Sequence, residues 1–293
     1  MYEKHFTIAS IQNRTRETDM SNILQDLNSP TLEAAIEANF SEEMANLSNG
    51  LPRGELHKTP ELIWMYTGAN GPNAVLYSRF VSDDLDYIEA KINEILAFFR
   101  TRNIDPSWTI GPSTRPTDLG EILRAHGFVY SDSTTGMAID LKTLNENVFT
   151  NEDLAIIEIE DLEKLKILRA IEIAGFGASE IAAQYYYDSY AYSGFGNGTP
   201  LHHYIGWLRG EPVAIASLLL HAGVAGIYGV ATIPQSRRQG VAAAMTLHAL
   251  HEARKLGYYV AILSPTEMSE ALYRRIGFRE FCKLLHYDWS AET

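Results

Sequence analysis

The stretch Tyr228-Gly-Val-Ala-Thr-Ile-Pro-Gln-Ser-Arg-Arg-Gln-Gly-Val-Ala-Ala-Ala-Met245 decides how the chain is read. An apolar strand runs into Pro234, a turn rich in Gln and Arg follows, and Gly240 opens a helix whose first turn is alanine. A helix start carries unpaired N–H groups and roughly half a positive charge. Placed beyond a strand end, with Arg237 and Arg238 beside it and no Cβ at Gly240, it is suited to hold a pyrophosphate. Arg254, Lys255 and Gly257 close the helix in the expected order. The plainer reading, a capped core helix with two surface arginines, stays open on these residues alone.

A second block narrows the choice. Arg237-x-x-Gly240-x-Ala242 and the later Leu272-Tyr273-Arg274-Arg275-Ile276-Gly277-Phe278 together resemble the two signature blocks of the GNAT acyltransferase superfamily. The resemblance covers residues 154–289 well and the N-terminal half in outline. It implies acetyl-CoA (acyl-CoA) as co-substrate and no metal. Backbone N–H groups from Gln239 through Val241, Ala242 and Ala243 to Ala244 would hold the pyrophosphate, helped by Arg237 and Arg238. Val230 and Thr232 would pair with the pantetheine amides, and the Val230 N–H would face the oxyanion. Thr266 and Ser269 fall on the cofactor side, and Tyr273 would protonate the departing thiolate, a task suited to a phenol near pKa 10. Tyr186 and Tyr190, one turn apart on a helix that overlies the acceptor cleft in this family, are candidates for acceptor binding.

Two departures stand out. Thr266 occupies a position where many members carry Asn. Gly226 stands where some members place a Glu base, and no carboxylate occurs from Val224 to Thr232. A water chain, Tyr228 or His221 would then have to serve as the base. Cys282 reads as a buried inert thiol rather than a nucleophile, so direct attack of an amine on the thioester is expected.

Outward from that segment, 293 residues with 46% apolar content suit two globular domains. We place them at 1–145 and 150–293, divided by the polar stretch Lys142–Asp153. The resemblance implies an α+β fold of two tandem GNAT-like domains, each a mixed, mostly antiparallel sheet flanked by helices. Leu119–Phe128 (LGEILRAHGF) aligns weakly with Ser269–Phe278 (SEALYRRIGF), which fits two copies of one fold. In the first copy Leu123 replaces the tyrosine, and Asp83-Asp84 stand where a phosphate would sit; that copy reads as degenerate. Helices are expected at Leu32–Leu47, Asp83–Arg100, Val241–Leu256 and Ser269–Ile276, with two short strands ending at Trp289.

A net charge of −13 disfavours nucleic acid and anionic membrane surfaces. A single cysteine excludes an internal disulfide and a Cys-based zinc site. The apolar run Val213–Leu220 is far short of the roughly 20 residues that span a bilayer, and the polar first residues lack a signal-peptide pattern. The expected protein is cytoplasmic, monomeric or homodimeric, and acts on a small-molecule or peptide amine. The competing reading is a non-catalytic CoA-binding sensor or scaffold.

Overall fold

The computed structural model describes residues 22–69, 71–196 and 198–290; the polar N-terminal segment read above lies outside them. The elements run α1 (Leu32–Asn46), β1 (Glu55–Lys58), β2 (Leu62–Tyr66), β3 (Ala74–Ser78), α2 (Leu85–Arg100), β4 (Ser107–Ile110), α3 (Leu119–Ala125) and β5 (Phe128–Asp140). Then come β6 (Leu154–Glu158), α4 (Leu162–Phe176), α5 (Glu180–Ser193), β7 (Leu201–Leu208), β8 (Glu211–His221) and β9 (Val224–Thr232). The chain ends with α6 (Val241–Lys255), β10 (Val260–Leu263), α7 (Glu270–Ile276) and β11 (Arg279–Trp289).

All eleven strands join one mostly antiparallel sheet in the order β1-β2-β3-β4-β11-β5-β10-β9-β8-β7-β6. The two halves of the chain exchange strands. The last strand, β11, enters between β4 and β5, while β5 sits between β11 and β10. Where two closing strands were expected there is one of 11 residues. Residues 279–289 contain no Gly, Pro or Asn to turn the chain, and shifts at Glu280/Cys282 and His286/Tyr287 absorb the sheet twist instead. Strand β5 runs for 13 residues, and its polar outer half is held by pairing with β11 rather than by burial. The exposed four-residue β1 was not foreseen.

Helices cover both faces. Helix α2 buries Ile88, Ile92, Ile95, Leu96 and Phe99 on one stripe, and each such side chain contributes about 1.5–3 kcal/mol. It packs with α3 against Val75, Trp108 and Tyr287. Further along that face, α6 and α7 bury Met245, Leu250, Tyr273 and Ile276 against Ala225 and Ile227 of β9. On the opposite face α4 and α5 cover Ile205, Ile215 and Leu219. Helix α1 lies on this second face across the middle of the sheet, where Leu32, Ala35 and Ile36 meet Val224, Val260 and Ile262. An N-terminal helix therefore roofs C-terminal strands.

Candidate active site

Strands β9 and β10 pair in parallel only at Ala225↔Ala261, Gly226↔Ile262 and Ile227↔Leu263. Beyond that point β10 ends while β9 continues to Thr232, so the sheet opens into a wedge. On its other side β9 pairs Tyr228 with Ser217 and then Ala231 with Ile215. Gly229 and Val230 together face one residue of β8, which is a bulge. Gly229 has φ +58°, in the left-handed region that glycine enters without cost. The bulge and the wedge leave Tyr228, Gly229 and Val230 partly exposed in the interior of an eleven-stranded sheet. Their backbone groups on the β10 side are open to an added strand. Thr232 Oγ1, at the end of this edge, is buried without a hydrogen-bond partner.

Helix α6 begins at this mouth. Arg238 (φ +57°) and Gly240 (φ +77°) bend the chain into the helix, and no side chain caps its N-terminus. Val241 and Ala243 are buried, whereas Gln239, Gly240 and Ala242 remain partly exposed. Arg237 is engaged elsewhere than the expected phosphate cradle. Its Nε donates to the Thr232 carbonyl at 3.1 Å and an Nη to the Gly175 carbonyl at 2.7 Å, tying the end of β9 to α4. The missing Cβ of Gly240 also has a different occupant: a methyl there would stand 2.7 Å from the Thr150 carbonyl carbon. Asn151 donates from Nδ2 to the Gln239 carbonyl at 3.0 Å, so the linker between the halves braces one side of the turn. Arg238 is exposed.

Tyr273 on α7 is 6% exposed, and its hydroxyl hydrogen-bonds with Thr246 and Ser269. Burial pushes the phenol up to about 12, above the ordinary value near 10 used for the sequence reading. It is therefore fully protonated at neutral pH. A thiolate formed in the same low-dielectric surroundings gains proton affinity for the same reason. Thr266 and Ser269 close the turn into α7: the Thr266 N–H donates to Ser269 Oγ at 3.0 Å, and the Ser269 N–H returns to the Thr266 carbonyl.

The opposite face of the wedge holds Tyr228 under α1. Asn39, fully buried, donates from Nδ2 to the carbonyls of Leu219, His221 and Val224 at 3.3, 2.9 and 3.3 Å. Its Oδ1 accepts from the Tyr228 hydroxyl at 2.8 Å. Gly226 lies directly beneath, and any Cβ there would collide with Asn39 Oδ1. At its far end α1 is fixed to α5, where Ser189 Oγ donates to the Asn46 carbonyl at 2.6 Å. Glu43 is one turn from both Asn39 and Asn46, on the helix face they share, and so it projects between β9 and α5. Sequence reasoning overlooked Asn39 and Glu43.

Around Glu43 stand Tyr228, Tyr186, Tyr190 and Glu172. The ring centroids of Tyr186 and Tyr190 are 5.9 Å apart, and Tyr190 lies 4.1 Å from the ring of His203. His203 Nδ1 bonds Ser217 Oγ at 2.7 Å. His203 Nε2 and Glu172 Oε2 are buried without partners. Burial raises Glu43 to about 7; burial and the charge of Glu43 raise Glu172 to about 8; burial lowers His203 to about 3. Glu172 was detectable in the sequence: it shares the buried stripe of α4 with Leu165, Leu168 and Ile171. The His221 carbonyl accepts from Asn39 at the edge of this cluster. The residue closes β8.

Residues 166–278 match the acetyltransferase (GNAT) family model. Over those residues the chain is similar to GNAT acetyltransferases. Over 86–90% of its length the chain shares its fold with solved GNAT structures. A GCN5-related N-acetyltransferase from Kribbella flavida superposes with TM-score 0.64 at 18% identity, over 86% of this chain and 96% of that one. A tandem GNAT protein from the clavulanic acid biosynthesis pathway gives 0.62 at 13% identity, over 90% and 97%. A GCN5-related N-acetyltransferase from Sphaerobacter thermophilus gives 0.60 at 13% identity, over 87% and 92%. No curated protein matches the chain significantly.

The start of α2 in the N-terminal half is capped by a side chain, unlike that of α6. Asp84 caps α2 by accepting from the Asp86 N–H at 3.0 Å, and Leu123 is fully buried core. Cys282 is buried and its thiol is pushed up to about 12, too high for a nucleophile. Among the described residues no group of three His, Cys, Asp or Glu is placed to hold a metal ion, and no helix is long and apolar enough to cross a membrane.

Proposed function

We propose that the protein transfers an acetyl group from acetyl-CoA to a primary amine, by direct attack within a ternary complex. One observation carries the reading: the β9–β10 wedge has a bulge on one lip and an uncapped helix start at its mouth. The orphaned Thr232 Oγ1 and the open edge of β9 suit an extended amide-bearing arm. In this reading the α6 amides of Gln239 to Ala243 hold the pyrophosphate, with Arg238 adding charge. Arg237 acts by shaping the turn. Acetyl-CoA supplies the thioester that the amine attacks. The Val230 N–H, freed by the bulge, faces the developing oxyanion, and Tyr273 gives its proton to the leaving sulfur. Residues 1–145 and 150–293 form the two GNAT-like units, interlocked through β5 and β11.

The test is acetyl-CoA consumption with a panel of amines, comparing wild type with Tyr273→Phe and measuring acetyl-CoA affinity in parallel. Turnover by wild type and a large loss in the variant are expected. Two proteins equally inert, both still binding acetyl-CoA, would leave a cofactor-binding protein without transferase activity.

A further inference from the structure

We propose that the N-terminal half supplies the general base: Glu43 of α1, with Glu172 as its proton-bearing neighbour, forms the acceptor site for a primary amine on an apolar or aromatic body that carries no carboxylate. The inference rests on the acetyl-transfer reading and names what that reading lacks.

The argument is geometric first. β9 has no carboxylate because it has no room for one: Asn39 of α1 fills the space over Gly226. The same helix, pinned at Asn39 to three carbonyls of β8 and β9 and at Asn46 to α5, delivers Glu43 one turn further on. Glu43 and Tyr186 keep partial exposure although protein surrounds them closely, as side chains lining a recess do. Deeper in, Glu172 is 6% exposed and His203 2%, yet Glu172 Oε2 and His203 Nε2 have no partner. Buried polar atoms are normally satisfied, so two orphans in one recess mark a place for a polar ligand.

The lining selects the ligand. Around Glu43 lie Glu172 from α4, Tyr186 and Tyr190 from α5, His203 from β7, Ser217 from β8, and Asn39 and Tyr228. No Lys or Arg contributes to the electrostatics of Glu43 or Glu172. Arg169 of α4 is paired with Glu180 through Nη2, although its Nε is buried without a partner, and Lys58 is paired with Glu42. An ammonium group is stabilised by the carboxylate and by the tyrosine ring faces. A substrate carboxylate would meet only like charge and desolvation. Burial and the charge on Glu43 both hold Glu172 protonated, so the recess gains its first negative charge as pH rises through about 7.

Protons balance as follows. The ammonium nitrogen gives one proton to the Glu43 carboxylate, which passes it to solvent, and the free amine attacks the acetyl carbon. The C–N bond forms and the C–S bond breaks. The sulfur takes the Tyr273 proton, and the second proton shed by nitrogen restores the tyrosine.

The experiment pairs turnover with binding. Phenethylamine, phenylalanine and phenethyl alcohol are assayed with wild type, Glu43→Gln and Glu172→Gln across pH 5.5–9, and phenethylammonium binding is measured by calorimetry in the presence of CoA. For wild type, phenethylamine is acetylated in preference to phenylalanine, with a rate limb rising near the Glu43 value of about 7. Glu43→Gln, isosteric and relieved of a buried charge, folds normally, loses roughly 10²–10⁴ in kcat/KM, and no longer shows that limb. Glu172→Gln, which mimics the protonated partner, keeps it. Unchanged rate and limb in Glu43→Gln, or a preference for phenylalanine, overturns the proposal. If wild type acetylates nothing but binds phenethylammonium in a Glu43-dependent way, the transferase reading fails and the acceptor site stands. If that binding is also absent, both fail.

Discussion

Replacing Gly226 by alanine places a methyl group in the space that the Asn39 carboxamide now fills. The new Cβ would also lie 2.5 Å from Cε2 of Tyr228 and 3.1 Å from Cγ of Asn39, and nothing on the buried strand can yield except α1. Overpacking of this kind costs about 1–3 kcal/mol. As the amide is pushed off, its bonds to the carbonyls of Leu219, His221 and Val224 and from the Tyr228 hydroxyl lengthen. Asn39 has two protons to share among three carbonyls. Two net hydrogen bonds to them and one from Tyr228 are then at stake, at about 1 kcal/mol each. The total is about 2–5 kcal/mol, a large share of a typical stability of about 5–15 kcal/mol. Urea denaturation measures that loss. Because α1 also carries Glu43, acetyl transfer should fall at least tenfold in the folded variant, while acetyl-CoA affinity, set on the other face of the sheet, stays within about twofold. Gly226→Ala with wild-type stability and full activity would refute the packing of α1 over β9.

Tyr273→Phe should reduce kcat by about 10²–10⁴ with little change in acetyl-CoA affinity, as stopped-flow and calorimetry would show. Gly240→Ala should destabilise the fold by about 1–2 kcal/mol because a side chain is forced into a left-handed backbone. It also displaces Thr150, and acetyl-CoA affinity measured by calorimetry should drop with it. Stability should depend on pH through the acidic recess. Glu43 and Glu172 have native values of about 7 and 8 against 4.5 for a free carboxyl, so their contribution is intact below about pH 4.5 and declines as pH rises through 7 and 8. Urea midpoints at pH 5.5 and 8.5 should converge in the double variant Glu43→Gln/Glu172→Gln. His203, held down to about 3, acts at the other end: its contribution is present above about pH 6.5 and lost as pH falls toward 3.

The sequence was most legible where the chemistry is local. The strand–turn–helix at 228–245 and the block at 272–278 fold where their spacing predicts, because each is a run of neighbours whose periodicity and glycines report one another. Side-chain assignments within them were less secure. Arg237 belongs to two carbonyls and Gly240 to the linker backbone, and both partners come from outside the motif. The candidate base was invisible for the same reason: Asn39 meets Tyr228 across 189 positions, and no local pattern announces such a contact. The exchanged strands were missed likewise. Leu119–Phe128 and Ser269–Phe278 revealed that the elements repeat, but register and partner are settled by the sheet as a whole.

The exchange of β5 and β11 bears on how such a chain can change over time. An appended unit would ordinarily be free to decay and be deleted. Here the N-terminal half donates a rung to its sister's ladder and borrows one in return, so neither can be discarded without tearing the other open. The two halves are mutually dependent, and the N-terminal half is kept in place by architecture as well as by what it brings to the site.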